Sequence, residues 1–256
     1  TLHNTSATTP TAMSEITKTA LVTGANKGIG KEVVRQLATR GYKVFLAARD
    51  EARGQKAVEE LHAAGLKDVH FLSLDVTSDE SVKHAAETLA TKIQALDVLV
   101  NNAGISASGW KGPLQESVAE MQATYEVNLF GVVRVTQAFV ELLKKSKAGR
   151  IVNVGSGLGS LTLTTDPAGP YYNYNSIAYF SSKSALNAVT VGFAKALAEF
   201  KIKVNTADPG YTATDLNHNN GPQTVDVGAK STVFLATLPD DGPTASYYDK
   251  DGVLPW

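Results

Sequence analysis

Residues 19–30 read TALVTGANKGIG, and this stretch decides the fold of the chain. TALVT is a short apolar run typical of a buried strand, and glycines follow it at positions 24, 28 and 30. From Ile29 the apolar residues recur at helical spacing. Glycines between a strand and a helix let the backbone approach a phosphate group at the helix N-terminus. The stretch predicts a dinucleotide-binding βα unit, although its Gly-x-x-x-Gly-x-Gly spacing leaves open a glycine-rich turn without a ligand.

The alternation of strand and helix continues to the end of the chain. Apolar runs predict further strands at 43–48, 69–74, 96–100, 150–155, 202–206 and 246–249. Helical patterns predict helices from 29 to about 40 and at about 51–63, 79–94 with Ser78 as its N-cap, 115–124, 126–146, 176–199 and 222–236. The strands are continuous apolar runs, as expected for parallel strands covered on both faces. We therefore expect a single doubly wound α/β domain over residues 18–256, with helices on both faces of a parallel sheet and a mobile tail over residues 1–17.

Composition narrows the class of protein. The 256 residues include 24 basic and 25 acidic side chains, and this balance does not favour nucleic acid or an acidic membrane as a partner. The absence of cysteine excludes disulfides, thiolate metal sites and thiol nucleophiles. No apolar run approaches the ~20 residues of a membrane span, and the polar N-terminal residues do not read as a secretory signal. We expect a cytoplasmic protein that acts on a small molecule.

Tyr179 and Lys183 are the first candidates for chemistry. If residues 179–183 are helical, the two side chains project from the same face. A neighbouring ammonium group favours the phenolate and would lower the pKa of the tyrosine. Such a tyrosine can give a proton to a carbonyl oxygen or take one from an alcohol. The spacing alone is more typical of an exposed tyrosine and lysine on a solvated helix, because this pattern is common by chance.

Polar residues follow the third and fourth predicted strands. Strand 3 ends in Asp75, which can accept a bond from an adenine amino group or can cap the turn before Thr77. Strand 4 ends in Asn101 and Asn102, followed by Ala103-Gly104. Asparagine side chains at such a point can bond to neighbouring backbone, so we expect a structural role for at least one of them.

Taken together, these pieces resemble the short-chain dehydrogenase/reductase family, and TGANKGIG, AARD and the C-terminal segment resemble its carbonyl reductase branch. The resemblance covers about residues 18–256. The matching residues are Thr23, Gly24, Gly28, Gly30, Asp75, Asn101, Asn102, Ala103, Gly104, Asn128, Ser156, Tyr179, Lys183, Pro209 and Gly210. The resemblance implies a Rossmann-type fold, a nicotinamide cofactor and an oxidoreductase that interconverts a ketone or aldehyde and its alcohol.

The resemblance also implies the roles of individual residues. A catalytic tetrad of Asn128, Ser156, Tyr179 and Lys183 is expected, with Ser156 bonding to the carbonyl oxygen and Asn128 holding a water in a proton relay. Asn128 bonded only to backbone is the alternative. The expected cofactor-binding residues are Gly24, Asn26, Lys27, Gly28, Ile29, Gly30, Arg49, Asp75, Val76, Asn102, Ala103, Gly104, Tyr179, Lys183, Pro209, Gly210 and Thr212. Thr214 competes with Thr212 for the nicotinamide carboxamide.

The end of strand 2 predicts NADP(H) as the cofactor. NAD enzymes place a carboxylate there for the ribose 2′-hydroxyl, but this chain has Ala48 at that position. Arg49 can make a forked pair of bonds to a 2′-phosphate, and Lys27 adds a second cation on the same side. Asp50 is expected to point away as the start of the next helix.

Substrate and partner predictions rest on the loops. We expect Ser156, Trp110, Tyr172 and Tyr211 to contact substrate, and the segment before Tyr179 to wall the pocket or pack against another subunit. His218 lies in a polar lid loop, and no metal site is expected. The resemblance implies a homodimer or homotetramer. An alcohol dehydrogenase acting mainly in oxidation, on a cyclic or steroid-type alcohol, is the first alternative, and a non-catalytic NADP(H)-binding sensor is the second.

Overall fold

The computed structural model describes residues 17–256, so the tail predicted over residues 1–17 lies outside the described residues apart from Thr17. Within this range the strands are β1 (Thr19–Val22), β2 (Lys43–Ala48), β3 (Val69–Ser73), β4 (Val98–Asn101), β5 (Arg150–Val154), β6 (Lys203–Ala207) and β7 (Tyr247–Tyr248). They form one sheet in the order β3-β2-β1-β4-β5-β6-β7, and every neighbouring pair is parallel. The predicted parallel α/β sheet is confirmed.

Helices cover both faces of the sheet because successive strand residues point to opposite sides. The helices are α1 (Gly28–Thr39), α2 (Glu51–Ala63), α3 (Asp79–Ala90), α4 (Val118–Tyr125), α5 (Gly131–Lys144), α6 (Leu161–Thr164), α7 (Ile177–Ala196), α8 (Val225–Gly228) and α9 (Lys230–Ala236). Ala20 and Val22 pack with α1, α2 and α9, whereas Leu21 packs with α3, α5 and α7. Two apolar cores result, one on each face, as expected for a doubly wound sheet.

Several helix boundaries differ from the sequence prediction. Ser78 caps α3 as predicted, but the helix ends at Ala90 rather than near residue 94. The helix predicted over 126–146 begins as a π-helical turn, Glu126–Phe130, before α5. The predicted helix 222–236 is divided into α8 and α9. Among residues 17–256, no helix combines the length and the apolarity that crossing a membrane requires.

The chain order of the strands reverses between β1 and β4. From β1 the sheet continues through β2 to β3, and from β4 it continues through β5 toward β7. The loops that leave β1 and β4 therefore diverge to opposite faces and open a crevice at the carboxyl ends of these strands. The glycine-rich turn follows β1 and Asn102 follows β4, so both lie at the crevice.

Candidate active site

A long cavity of about 940 Å³ follows the carboxyl edge of the sheet. It runs from Arg49 and Asp75 past the glycine-rich turn to Tyr179 and Lys183. The predicted cofactor-binding residues that line it are Gly24, Asn26, Lys27, Gly28, Ile29, Gly30, Arg49, Asp75, Val76, Asn102, Ala103, Gly104, Tyr179, Lys183 and Pro209. The residues predicted from separate parts of the sequence thus share one continuous space.

The glycine-rich turn packs closely against the loop after β4, and it leads into an uncapped start of α1. Gly24 has a φ of +61°, and a Cβ there would lie 2.8 Å from Ala103 Cα. A Cβ at Gly30 would overlap the Asn102 amide and lie 2.8 Å from the Gly24 carbonyl oxygen. No side chain caps the N-terminus of α1, where Lys27 is the N-cap residue. The first N–H groups of this helix and its dipole suit a phosphate group.

Asn102 and Thr23 hold the glycine-rich turn in place. The Asn102 side chain donates to the carbonyl oxygens of Thr23, at 2.8 Å, and Gly24, at 3.1 Å. The Thr23 hydroxyl accepts from the backbone N–H groups of Asn102, at 3.0 Å, and Ala103, at 3.1 Å. These bonds join the ends of β1 and β4, which is the structural role expected for one of the two asparagines.

At the end of the long cavity that Arg49 lines, the charged residues follow the sequence prediction only in part. Arg49 is exposed and lines the cavity. Asp50 turns away because its carboxylate caps α2 by accepting from Arg53 N at 3.0 Å. Lys27, in contrast, is paired with Asp215, with 2.6 Å between Nζ and Oδ2. Both partners are exposed, so solvent weakens this pair and a competing anion can displace it.

Asp75 performs the capping role that the sequence left open. Its Oδ1 accepts from the backbone N–H of Thr77 at 2.9 Å and from the Thr77 hydroxyl at 2.7 Å. Burial acts to raise the pKa of Asp75, but the Thr77 bonds and the Arg49 charge outweigh it and hold the pKa below its usual range. Asp75 also lines the cavity.

A second cavity of about 540 Å³ adjoins the first, and Tyr179 lines both. Its wall carries the aromatic rings of Trp110, Tyr171, Tyr174 and Tyr211. The Trp110 ring lies 4.9 Å from the Tyr179 ring, centroid to centroid. Ser156 lines this second cavity as well. An aromatic wall of this kind suits the body of an apolar molecule whose polar group faces Tyr179 and Ser156.

Burial dominates the acidity of Tyr179. The side chain is 7% exposed, and burial raises its pKa, while hydrogen bonding with the Ser156 hydroxyl lowers it and the charge of Asp208 raises it further. The sequence predicts a lowered pKa for Tyr179, and the overall direction of that prediction is wrong because burial is the largest effect. Tyr179 therefore keeps its proton at neutral pH.

Lys183 faces the same space from one turn further along α7. Its Nζ lies 5.6 Å from the centre of the Tyr179 ring and donates to the Val154 carbonyl oxygen at 2.7 Å. Burial lowers the pKa of Lys183 to about 8, opposed by the charge of Asp208. The ammonium form consequently still predominates at pH 7.

Asn128 lies in the π-helical turn, which directs its side chain into the protein. Its Oδ1 accepts from Ile105 N at 2.9 Å, and its Nδ2 donates to Ile105 O at 2.9 Å and to Ser182 Oγ at 3.1 Å. A Cβ added at Gly104 would lie 3.5 Å from Asn128 Oδ1 and 3.7 Å from Lys183 Nζ. The two side chains therefore border one small space, although both donor positions of the Asn128 amide are already used.

The profile of the family described as short chain dehydrogenase matches residues 18–224. The chain belongs to this family. The resemblance inferred from the sequence is confirmed, and the protein is an oxidoreductase of the short-chain dehydrogenase type.

Named relatives match nearly the whole length of this short-chain dehydrogenase. Salutaridine reductase of Papaver bracteatum is 35% identical over 292 residues, which cover 90% of this chain and 93% of that protein. (+)-Neomenthol dehydrogenase of Capsicum annuum is 33% identical over 304 residues, which cover 91% and 95%. Among solved structures, NADPH-bound carbonyl reductase from chicken fatty liver has a TM-score of 0.82 at 27% identity, with coverage of 94% and 99%.

Three predicted ligand contacts are placed differently in this dehydrogenase. Tyr172 is 49% exposed and does not line the aromatic cavity, whereas its neighbours Tyr171 and Tyr174 do. Thr212 and Gly210 line that second cavity rather than the long one. The Thr212 hydroxyl donates to Pro209 O at 3.1 Å and accepts from Gln223 at 2.9 Å. Thr214, the competing choice for the carboxamide, lines both cavities.

Two acidic residues of the site were missed at the sequence level. Glu116 lies in the loop before α4, and its carboxylate accepts from Ser108, from Ser176 and, at 2.7 Å, from Ala178 N. It therefore caps the start of α7, the helix that carries Tyr179. Asp208 lines the aromatic cavity and is 3% exposed. Its only sequence signal is an acid at a strand end just before Pro209-Gly210.

Proposed function

We propose that this short-chain dehydrogenase is an NADP(H)-dependent enzyme that interconverts a ketone or aldehyde and its alcohol, with Tyr179 as the general acid/base. The position of Tyr179 carries the proposal, because this side chain lines both the long cavity and the aromatic cavity. A cofactor in the first and a carbonyl compound in the second would meet at its hydroxyl. The NADPH-bound carbonyl reductase structure supports the choice of cofactor.

A nicotinamide cofactor supplies the hydride when it is bound. In carbonyl reduction, Tyr179 donates its hydroxyl proton to the carbonyl oxygen, and Ser156 donates a hydrogen bond to the same oxygen. Because burial raises the pKa of Tyr179, the proton stays in place until the carbonyl oxygen gains negative charge. The Lys183 ammonium group then stabilises the phenolate that remains. In alcohol oxidation, the same groups act in reverse.

The shape of the glycine-rich turn supports a pyrophosphate-containing cofactor. The absence of a side chain at Gly30 lets α1 pack directly against this turn and Asn102. The uncapped start of α1 offers N–H donors at the same place. For the adenosine end, we propose that Arg49 binds a 2′-phosphate and that Lys27 exchanges Asp215 for the same phosphate.

The first experiment measures activity on ketones, aldehydes and alcohols with both cofactors. We expect NADPH-dependent reduction of at least one ketone or aldehyde, which is measured as the loss of NADPH absorbance. Faster oxidation of a cyclic alcohol with NADP⁺ at matched pH would favour the alternative, an enzyme that works mainly as an alcohol dehydrogenase. No turnover of any compound with either cofactor would contradict the proposed function.

The cofactor preference is predicted to depend on Arg49 and Lys27. Arg49→Ala combined with Lys27→Ala should lower kcat/KM with NADPH by about 10²-fold, since two charge-assisted contacts to phosphate are lost. The kcat/KM with NADH should change much less. Lys67→Ala, which removes an exposed cation outside the long cavity, is the matched control. A parent enzyme that prefers NADH, or a double variant with unchanged preference, would contradict the assignment.

We further propose that the dehydrogenase is a homodimer or homotetramer. Phe130 is 49% exposed at the end of the π-helical turn that leads into α5, and Ile177 is 37% exposed at the start of α7. These two helical segments pack between subunits in the family that the chain resembles. Light scattering should give a multiple of 27.1 kDa.

Phe130→Asp should shift the mass toward one chain because a charge would be buried in the interface. Leu114→Asp, at a 94% exposed position outside both helices, should not. A single-chain mass for the parent at micromolar concentration would contradict this proposal.

A further inference from the structure

Asp208 is a buried carboxylate beside the reacting groups that the proposed mechanism does not use. It directly follows β6 and is 3% exposed. Its backbone N–H donates to Tyr248 O at 2.7 Å, and its carbonyl oxygen accepts from Ser231 Oγ at 2.8 Å. The sheet edge at Tyr248 and the helix α9 at Ser231 therefore fix the point from which the carboxylate projects.

Two groups donate to the carboxylate of Asp208. Gly210 N donates at 2.8 Å from the loop after β6. The Tyr171 hydroxyl donates at 3.3 Å from the segment before α7. The Tyr171 ring in turn packs against Gly157, the residue after Ser156. Asp208 thus connects the loop that borders the cofactor cavity with the wall of the aromatic cavity, and the Tyr171 ring extends this connection to the turn that carries Ser156.

Tyr171 anchors a segment with little other attachment to the domain. Between residues 165 and 175 every residue is exposed except Gly169 and Tyr171. The ring of Tyr171 lies directly on Gly157, where a Cβ would overlap the ring. Pro170, Tyr171 and Tyr174 from this segment line the aromatic cavity. Loss of the Tyr171–Asp208 bond would therefore free this segment to move away from the aromatic cavity.

We propose that Asp208 is a positioning residue: through Tyr171 it keeps residues 165–175 in place as the wall of the substrate cavity and supports the Ser156 turn, on which the Tyr171 ring lies. A carboxylate suits this task because it accepts from several donors at once, whereas an amide presents one accepting oxygen and two donating hydrogens. Hydrogen bonds to a charged acceptor are also the stronger kind.

Hydrogen exchange of the cofactor-free protein tests the wall without any assay of activity. In Tyr171→Phe and Asp208→Asn, the amides of residues 165–175 should exchange at least about tenfold faster than in the parent. The control is Tyr172→Phe, which removes the hydroxyl of the adjacent, exposed tyrosine and should leave exchange unchanged. Unchanged exchange in Tyr171→Phe would overturn the proposal even if Asp208→Asn fails to fold. Equal acceleration in Tyr172→Phe would also overturn it.

The kinetic test rests on the proposed function. With a ring-containing ketone, Tyr171→Phe should raise KM about five- to tenfold and leave kcat nearly unchanged, because only the wall is loosened. Asp208→Asn should raise KM by a similar factor, because its amide has only one accepting oxygen for two donors, Gly210 N and the Tyr171 hydroxyl. The double variant should match Asp208→Asn, and effects that multiply instead would overturn the proposal. If the parent reduces no carbonyl compound, the proposed function fails, but the exchange experiment still decides the role of Asp208.

Discussion

Replacement of Tyr179 by phenylalanine is expected to lower kcat for carbonyl reduction by at least ~10²-fold. The variant keeps the ring that packs against Trp110 at 4.9 Å and removes only the hydroxyl. Ser156 could still bond to the carbonyl oxygen, but no other group named at the junction of the two cavities would supply the proton. The ketone KM should change little, because the aromatic wall is unaltered.

Steady-state rates with a saturating ketone and NADPH, together with circular dichroism, measure this effect. Tyr42→Phe is the matched control, since Tyr42 is also buried, at 8% exposure, and burial likewise raises its pKa. Tyr42 precedes β2 at the opposite edge of the sheet from the cavities, so its variant should keep the parent kcat. A folded Tyr179→Phe protein that retains most of its turnover would contradict the role given to this tyrosine.

Much of the fold could be predicted because its determinants are local. Buried parallel strands such as Lys43–Ala48 are continuous apolar runs, so each strand can be located from its own residues. Helix starts were found where a side chain caps the helix, as at Asp50 and Ser78. The glycine-rich turn could be predicted for the same reason, because its glycines and the start of the following helix lie within one short stretch.

The parts that escaped prediction depend on contacts between distant segments. Asn128 bonds to Ile105 and Ser182, and the π-helical turn that permits this has no periodic signal. The acidity of Tyr179 depends on how deeply α7 is buried, which a Tyr–Lys spacing does not report. Tyr171 rather than Tyr172 faces the cavity because Gly157 leaves room for its ring. Asp208 gains Tyr171 as a partner only when the loop after β6 and the segment before α7 meet.

Replacement of Gly30 by alanine is the second change with a large expected effect. Alanine favours a helix over glycine by up to ~1 kcal/mol, and Gly30 lies in α1, so local propensity alone would predict a more stable protein. A Cβ at this position would, however, overlap the Asn102 amide and lie 2.8 Å from Gly24 O and 2.9 Å from Ala25 Cα. Two of these three atoms belong to the backbone, so α1 must shift away from the turn.

Overpacking of this kind costs about 1–3 kcal/mol, which would lower Tm by several degrees in a chain of this size. The shift also displaces the phosphate turn, so kcat/KM with limiting NADPH should fall by about 10²-fold.

Gly192→Ala is the matched control, because Gly192 lies exposed inside α7 and a Cβ there meets nothing within 4 Å. That variant should be more stable by ~0.5–1 kcal/mol and keep the parent activity. Calorimetry and cofactor titration of both proteins test the contrast. If Gly30→Ala binds NADPH as tightly as the parent, the close approach of turn and helix is not what forms the cofactor site.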